Sequence, residues 1–240
     1  MLELNKIHFG DCYALIKQIP DKSIDLIYTD IPYQFTNIGG KTKCEGLAGR
    51  ITKMMDELKD ICNGIDWAIL DDFVRIMKKI NCFIWCSKEQ IPYLLEYFRG
   101  KGAYFEILTW NKSNPAPMTN NVFLPDIEYC LYFRESGVRL NDGYHLKSKW
   151  HTSKINQHNK AEFDHPTIKP LELVKRHIAH SSRESDTVLD PFIGSGTTAV
   201  AARELGRQFI GIEIDPRWHK VAVNRLNNTD ARGQIAFLPR

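Results

Sequence analysis

The residues of this 240-residue chain best equipped for chemistry fall in three short stretches: Asp30-Ile31-Pro32-Tyr33, the hexapeptide HPTIKP at 165–170, and TVLDPFIGSGTT from Thr187 to Thr198. In the last, Val188 and Leu189 open an apolar run, Gly194 and Gly196 break it, and Thr197 to Leu205 reads as a helix. A strand, a glycine turn and a helix form a small-molecule site, because glycine lets the backbone turn sharply and present amide groups at the helix start. In Asp30-Ile31-Pro32-Tyr33 a carboxylate, a proline-restricted backbone and an aromatic ring are held at the end of the apolar run Ile24 to Thr29. The C-terminal edge of such a strand is the ligand side of an open α/β sheet.

Two ligand classes fit the glycine turn, since Gly194, Gly196 and Ala199 also match the dinucleotide spacing G-x-G-x-x-A. Asp190 decides between them: a carboxylate just ahead of the glycines repels a pyrophosphate and attracts an ammonium group. S-adenosylmethionine carries an ammonium and no phosphate. Glu213 ends the next apolar run, QFIGIEI, where a ribose-binding carboxylate belongs. A buried βα unit with an ordinary glycine turn would show the same letters at Gly194 and Gly196, so the motif needs its neighbours.

The elements that position these groups are legible in outline. KIHF reads as a strand ending at Gly10 and Asp11, Leu15, Ile16 and Ile19 as a helical face, and Leu70, Phe73, Val74 and Met77 as another. NCFIWC reads as a strand, followed by a segment from Ser87 to Gly100, and FEILTWN and IEYCLYFRE as two β runs forming an antiparallel edge. HPTIKP precedes an amphipathic helix bearing Leu171, Val174 and Ile178, and Asp215-Pro216 caps a last helix with Trp218, Val221 and Leu226.

Two segments carry basic charge. Residues 37–50, NIGGKTKCEGLAGR, form a glycine-rich loop with Lys41, Lys43 and Arg50. Between Arg134 and Lys160 regular patterning is lost, and six basic residues, among them Lys147, Lys149 and Lys154, face only Glu135 and Asp142. Basic groups mixed with Trp150, His151 and His158 suit phosphate and base contacts, and a solvated loop is the plainer alternative.

Composition bounds the rest. Hydrophobic residues at 43%, charged residues at 25% and a net charge of +3 describe a single globular domain, 1–240, whose charge alone does not call for nucleic acid. The six cysteines form no C-x-x-C pair, and the histidines have no acidic or thiol partners at ligand spacing, so no metal is expected. MLELNKIHFGDC is not a secretory leader and no apolar run approaches a membrane span, which leads to an expectation of a cytoplasmic protein without a membrane partner.

Taken together, Asp-x-Pro-Tyr early, HPTIKP late, then DPFIGSGTT and GIEID, the chain resembles the β class of DNA amino-methyltransferases from HFGDC to the final helix. The resemblance implies a doubly wound, mostly parallel seven-stranded α/β sheet of the class I S-adenosylmethionine-dependent methyltransferases. It also implies a circularly permuted motif order and a small inserted target-recognition region at about 112–165. The implied reaction moves the methyl of S-adenosylmethionine to the exocyclic N6 of a flipped-out adenine in double-stranded DNA. Asp30, Ile31, Pro32 and Tyr33 would be catalytic. Asp190, Phe192, Gly194, Ser195, Gly196 and Thr197 would line the cofactor together with Asp30, Glu213 would hold its ribose, and Asp11 would lie near its adenine ring. His165, Thr167 and Lys169 would approach its methionine end, Lys169 pairing with the carboxylate. Lys41, Lys43, Arg50, Lys147, Lys149 and Lys154 are the DNA-contact candidates.

One position departs from the family pattern: Ile31 stands where a first proline is usual, though Pro32 still holds it extended. Asp in first position resembles the adenine enzymes, whereas the cytosine-N4 enzymes more often carry Ser. The alternatives are N4-cytosine transfer, a non-catalytic DNA-binding homologue, a methyltransferase acting on RNA or protein glutamine, and a nicotinamide oxidoreductase. The short recognition stretch suggests a short target site or a homodimer, and a cognate restriction endonuclease is a further expected partner.

Overall fold

A computed structural model describes residues 1–34, 64–115, 123–155 and 168–228. Its strands are β1 (Lys6–Phe9), β2 (Leu26–Asp30), β3 (Asn81–Cys86), β4 (Tyr104–Lys112), β5 (Ile127–Arg134), β6 (Trp150–Ser153), β7 (Thr187–Asp190) and β8 (Gln208–Glu213). They form one sheet in the order β1-β8-β7-β2-β3-β5-β4-β6. Five neighbouring pairs are parallel, and the two that involve β5 are antiparallel. The helices are α1 (Cys12–Leu15), continued by a 3₁₀ turn at Ile16–Gln18, α2 (Ile69–Ile76), α3 (Ile91–Gly100), α4 (Leu171–Ser181), α5 (Thr197–Glu204) and α6 (Pro216–Asn227).

Strand alternation sends each central side chain to one of two cores. Ile27, Ile84, Leu131 and Phe133 meet Leu70 and Phe73 of α2 and Leu94 and Phe98 of α3 on one face. On the other, Leu26, Tyr28, Phe83 and Trp85 meet Leu173, Val174 and Ile178 of α4, Val200 of α5 and Ala222 of α6. Both faces are covered, which is why these strands read as continuous apolar runs rather than as polar and apolar residues in alternation.

The sheet differs from expectation on its far side. β6 makes an eighth strand, from a stretch whose sequence lacks regular patterning; it lies parallel to β4, with Thr109 opposite Trp150 and Lys112 opposite Ser153. The two β runs expected at an edge do pair antiparallel, but neither is outermost: β5 lies between β3 and β4, and β6 lies outside β4. Within the span 112–165 the structure places β5 and β6 in the sheet. The polar sequence on both sides of β5 makes the whole span read as an insertion, although the strand between is apolar.

His177 of α4 is an ionisable group inside the second core. Its ring stacks on Phe83 at 4.8 Å and 6°, and its Nδ1 is 3.3 Å from the Tyr28 hydroxyl, which accepts a hydrogen bond from Trp85 Nε1 at 2.9 Å. Burial, with neighbouring Arg176, His151 and His180, lowers its pKa from 6.5 to about 3. The folded state thus holds this ring neutral while the unfolded chain protonates it, so stability is present above pH 6.5 and is lost as pH falls toward 3. The slope is about 1.4 kcal/mol per pH unit for one group. His177→Phe keeps the stack and removes the proton site. Denaturant unfolding from pH 7 to pH 4 should show the variant losing less stability than the parent, and parallel pH curves would exclude this role.

Candidate active site

β7 and β2 are parallel neighbours, with Ile27 opposite Leu189, and the chain runs outward from them in opposite senses, to β8 on one side and β3 on the other. This is a topological switch point, where the ends of two strands leave a crevice. β7 ends in Asp190 and β2 ends in Asp30, so the crevice has a carboxylate on each lip.

Asp190 is a clamp. Thr29 Oγ1 donates to its Oδ1 at 2.9 Å, the Phe192 N–H to the same oxygen at 3.1 Å, and Thr198 Oγ1 to Oδ2 at 2.6 Å. Burial raises its pKa to about 7 against the pull of these three donors. Asp190, expected to attract an ammonium, has its described partners on β2, the glycine turn and α5, and so also shapes the loop.

Glu213 holds the loop from the other side, accepting from the Gly194 N–H at 2.8 Å and from the Asp215 N–H at 2.9 Å. Burial raises its pKa as well. A carboxylate oxygen bonded once keeps a further lone pair, so these two can still accept from a diol. Gly10 donates its N–H to the Glu213 carbonyl at 2.9 Å, which brings Asp11 to the same edge. Asp11 caps α1 by accepting from the Tyr13 N–H, and the Tyr13 ring meets Phe192 edge-on at 6.5 Å. Asp11, Phe192 and Glu213 thus gather on the β7–β8 side of the crevice.

For Ser195, Gly196 and Thr197, expected to line the cofactor, the side-chain positions turn toward α6. The side chains of Ser195 and Thr197 are buried against α6, where Arg225 Nη1 donates to Thr197 Oγ1 at 2.8 Å and to the Ser195 carbonyl at 3.3 Å. Gly196 takes φ +82°, and a Cβ there would stand 3.2 Å from the Ala222 backbone. Its missing side chain serves helix packing. Hydroxyls and glycines look alike in sequence whether they face a ligand or a neighbouring helix.

On the opposite lip, Lys169 is the hub. Its Nζ donates to Asp30 Oδ2 at 2.5 Å and lies 2.9 Å from Glu128 Oε2 and 3.3 Å from the Tyr33 hydroxyl. It also sits 5.1 Å over the Trp85 ring and 5.6 Å over the Tyr33 ring, within cation–π range. Glu128 is bonded on its other oxygen by Lys112 Nζ at 2.6 Å. Burial alone would raise the Glu128 carboxyl, but Lys169 and Lys112 overturn that and bring it down to about 2. Burial likewise opposes charge on Lys169, and Asp30 with Glu128 reverses it, so its pKa lies above the ordinary value. Asp30 is raised by burial, with Lys169 opposing. Its Oδ1 is sealed from solvent with no hydrogen-bond partner among the described residues. Lys169, expected to pair with a cofactor carboxylate, is held here between two carboxylates of its own chain.

The turn itself is braced from β3 and the segment after it. Ile31 is buried and donates its N–H to the Trp85 carbonyl at 3.2 Å, and Gln90 Nε2 donates to the Pro32 carbonyl at 2.9 Å. Gln90 Oε1 in turn accepts from the Ser87 N–H, and Ser87 Oγ donates to the Gln34 carbonyl, each at 2.9 Å. Glu128, Lys112, Gln90 and Ser87 carry no motif that marks them in the sequence. Charged or amide groups beside buried strands were the available signal, as burying them requires partners.

Of the remaining candidates, His165, Thr167, Lys41, Lys43 and Arg50 lie outside the described residues. Lys147 and Lys149 are exposed and paired with Asp142 at 3.5 Å and Glu106 at 2.5 Å; Lys154 is exposed. Among the described residues no helix is long and apolar enough to cross a membrane.

The occupied amides decide what the cofactor half accepts. The Phe192 and Gly194 N–H groups, which a pyrophosphate would need, are already bonded to Asp190 and Glu213. An acidic lining with spare lone pairs suits a cationic ligand bearing a ribose, and S-adenosylmethionine fits it where a dinucleotide does not. Fold and crevice together define a class I S-adenosylmethionine-dependent methyltransferase. A family model described as DNA methylase, N6_N4_Mtase, matches residues 24–224, and the chain belongs to that family. It is 33% identical to the Type II methyltransferase M2.LlaDCHI of Lactococcus lactis subsp. cremoris, over 91% of this chain and 87% of that one. It is 31% identical to the Type II methyltransferase M.HinfI of Haemophilus influenzae, over 93% and 68% respectively. Among solved structures it resembles an M1.HpyAVI–SAM complex, with 25% identity, a TM-score of 0.69 and coverage of 92% and 98%. The PvuII cytosine-N4-specific DNA methyltransferase shares the fold, with 16% identity, a TM-score of 0.67 and coverage of 91% and 84%. The protein is a DNA methyltransferase and S-adenosylmethionine is its cofactor.

Lys169→Met would leave Asp30 and Glu128 facing one another without the cation between them. Breaking a buried pair costs about 3–5 kcal/mol, less here because Asp30 keeps 30% side-chain exposure. Both carboxylates would then titrate above their unfolded values, so stability is present at low pH and lost as pH rises. Thermal unfolding at pH 5 and pH 8 should show the gap to the parent widening at pH 8, and an equal gap would disprove the hub.

Proposed function

We propose that the protein methylates the N6 amino group of adenine in double-stranded DNA, acting on a base turned out of the helix. The observation that carries this reading is Asp30: one oxygen is fixed by Lys169, and the other is buried with its hydrogen-bonding capacity unused among the described residues. The first-position Asp, which resembles the adenine enzymes, favours adenine over cytosine.

An exocyclic amino nitrogen is a poor nucleophile, because its lone pair is delocalised into the ring. Asp30 Oδ1 and the Ile31 carbonyl, accepting one amino hydrogen each, draw that lone pair out of conjugation. S-adenosylmethionine supplies the methyl group. The chain's contribution is positioning and electrostatics: the Ile31 N–H bond, the Gln90 bond to Pro32 and the Lys169 bond to Asp30 fix both acceptors before the base arrives. Tyr33 offers the extruded ring a stacking face, offsetting an extrusion cost of a few kcal/mol. On the other half, Glu213 would hold the ribose hydroxyls of the cofactor, and Phe192, Asp11 and the backbone of residues 194–197 would line it. By the resemblance, His165 and Thr167 would contact the cofactor, and Lys41, Lys43 and Arg50 would contact DNA. A cognate restriction endonuclease and a second copy of the chain are the further partners this reading adds.

Mass spectrometry of nucleosides from DNA treated with the protein should give N6-methyladenine. N4-methylcytosine would move the reading to cytosine, and no modified base would leave a binding homologue. Asp30→Ala should bind DNA and cofactor and transfer no methyl. Tyr33→Ala should lose about one to two decades in rate, following a stacking energy of roughly 1–3 kcal/mol, and unchanged transfer by a folded Tyr33→Ala would remove the stacking role.

Lys147, Lys149 and Lys154 are proposed to meet DNA phosphates. Their joint replacement by Gln should flatten the salt dependence of DNA binding by about 0.9 in slope for each phosphate no longer neutralised. Because Lys147 and Lys149 already pair with Asp142 and Glu106, a change closer to that of one phosphate than of three is expected, and an unchanged slope would make this a solvated face.

A further inference from the structure

Glu128 lies outside the motifs that mark the reaction, on β5, yet it is bonded to three groups at the catalytic lip. Its Oε2 takes Lys169 Nζ at 2.9 Å and the Tyr33 hydroxyl at 3.3 Å, and its Oε1 takes Lys112 Nζ at 2.6 Å. Lys169 is nearly inaccessible and Glu128 and Lys112 keep about one seventh of their side-chain exposure, so these are not solvated surface pairs. Four charges, two of each sign, alternate in a chain from Lys112 through Glu128 and Lys169 to Asp30.

Such a chain has a directional effect. Lys169 has two carboxylates to serve, and Glu128 fixes where its ammonium sits. That position puts the ammonium on Asp30 Oδ2 and leaves Oδ1 bare. Without Glu128, Lys169 could shift to bridge both oxygens of Asp30, and the base would then compete with it for Oδ1. Lys112 anchors Glu128 from the side away from the reaction.

We infer that Glu128, anchored by Lys112, is a positioning residue for methyl transfer, holding Lys169 on one oxygen of Asp30 so that the other faces the base. This rests on the reading that Asp30 accepts from the base amino group. Groups facing Asp30 from the packed elements are Lys169 ahead of α4, Glu128 and Cys130 on β5, Cys86 on β3, Asp190 on β7, and Tyr33. The Glu128 charge raises the Asp30 pKa, so removing it moves Asp30 ionisation to lower pH.

The test uses the full chain with DNA and S-adenosylmethionine. Glu128→Gln keeps the shape and removes the charge. It should bind S-adenosylmethionine with unchanged affinity by calorimetry, lose up to about a hundredfold in single-turnover rate, as a misplacement near 1 Å does, and show the acid limb of its pH–rate profile displaced to lower pH. A merely structural role would not move that limb in a set direction. Full rate with an unmoved limb would overturn the inference. Lys112→Met and Lys112→Arg carry the same question if Glu128→Gln fails to fold: the Met variant should be slowed and the Arg variant restored toward the parent, and a Met variant at full rate would overturn it. Asp30→Ala, assayed alongside, separates the two claims. Activity surviving in Asp30→Ala brings down the underlying reading, whereas an inactive Asp30→Ala beside a fully active Glu128→Gln brings down only the positioning role.

Discussion

The catalytic half of this protein depends on one buried ammonium. Lys169 stands between Asp30 and Glu128 with two aromatic faces, Trp85 and Tyr33, beside it. Two carboxylates so close would repel in a low-dielectric setting and take up protons, which would abolish the acceptor proposed for the base amino group. The lysine keeps them charged, and in doing so joins the segment before α4 to β2 and β5, elements far apart in the chain. The pair that joins the strand ends also leaves Asp30 with one oxygen bonded and the other buried without a described partner, the arrangement on which the proposed reaction relies.

The cofactor half is built on a different balance. There the carboxylates are satisfied mainly by neutral donors, Asp190 by two threonines and an amide, Glu213 by two amides. Burial raises both pKa values, and no lysine answers it among their described hydrogen bonds. The result is an acidic pocket whose loop amides are already used, poorly suited to phosphates and well suited to a cation with hydroxyls. Ligand class is decided here by which backbone donors are occupied, a matter that the glycine spacing leaves open.

The isoleucine at position 31 also has a physical account. Its side chain fills the first core and its N–H extends the pairing with β3 by a hydrogen bond to Trp85, a bond that proline could not make. The rigidity a first proline would give the turn is supplied instead by that bond, by Pro32 and by Gln90.

The local sequence was enough to read those features whose signal is local. Continuous apolar runs ending in Asp30, Asp190 and Glu213, glycines after one of them and a proline after another specify strands with turns at their ends, because turn chemistry and strand burial act over a few residues. The adjacency of β2 and β7 also followed, once the motif order was matched to a family. What the sequence could not supply was direction and partnership. Ser195 and Thr197 face Arg225 of α6, Lys169 faces Glu128, and β5 slips between β3 and β4 rather than lying at the edge. The first two are settled between side chains at least 28 positions apart, and the third by the pairing of β5 with β3 across a still longer separation. Over such distances burial energy and charge pairing choose among arrangements that local propensity leaves equal.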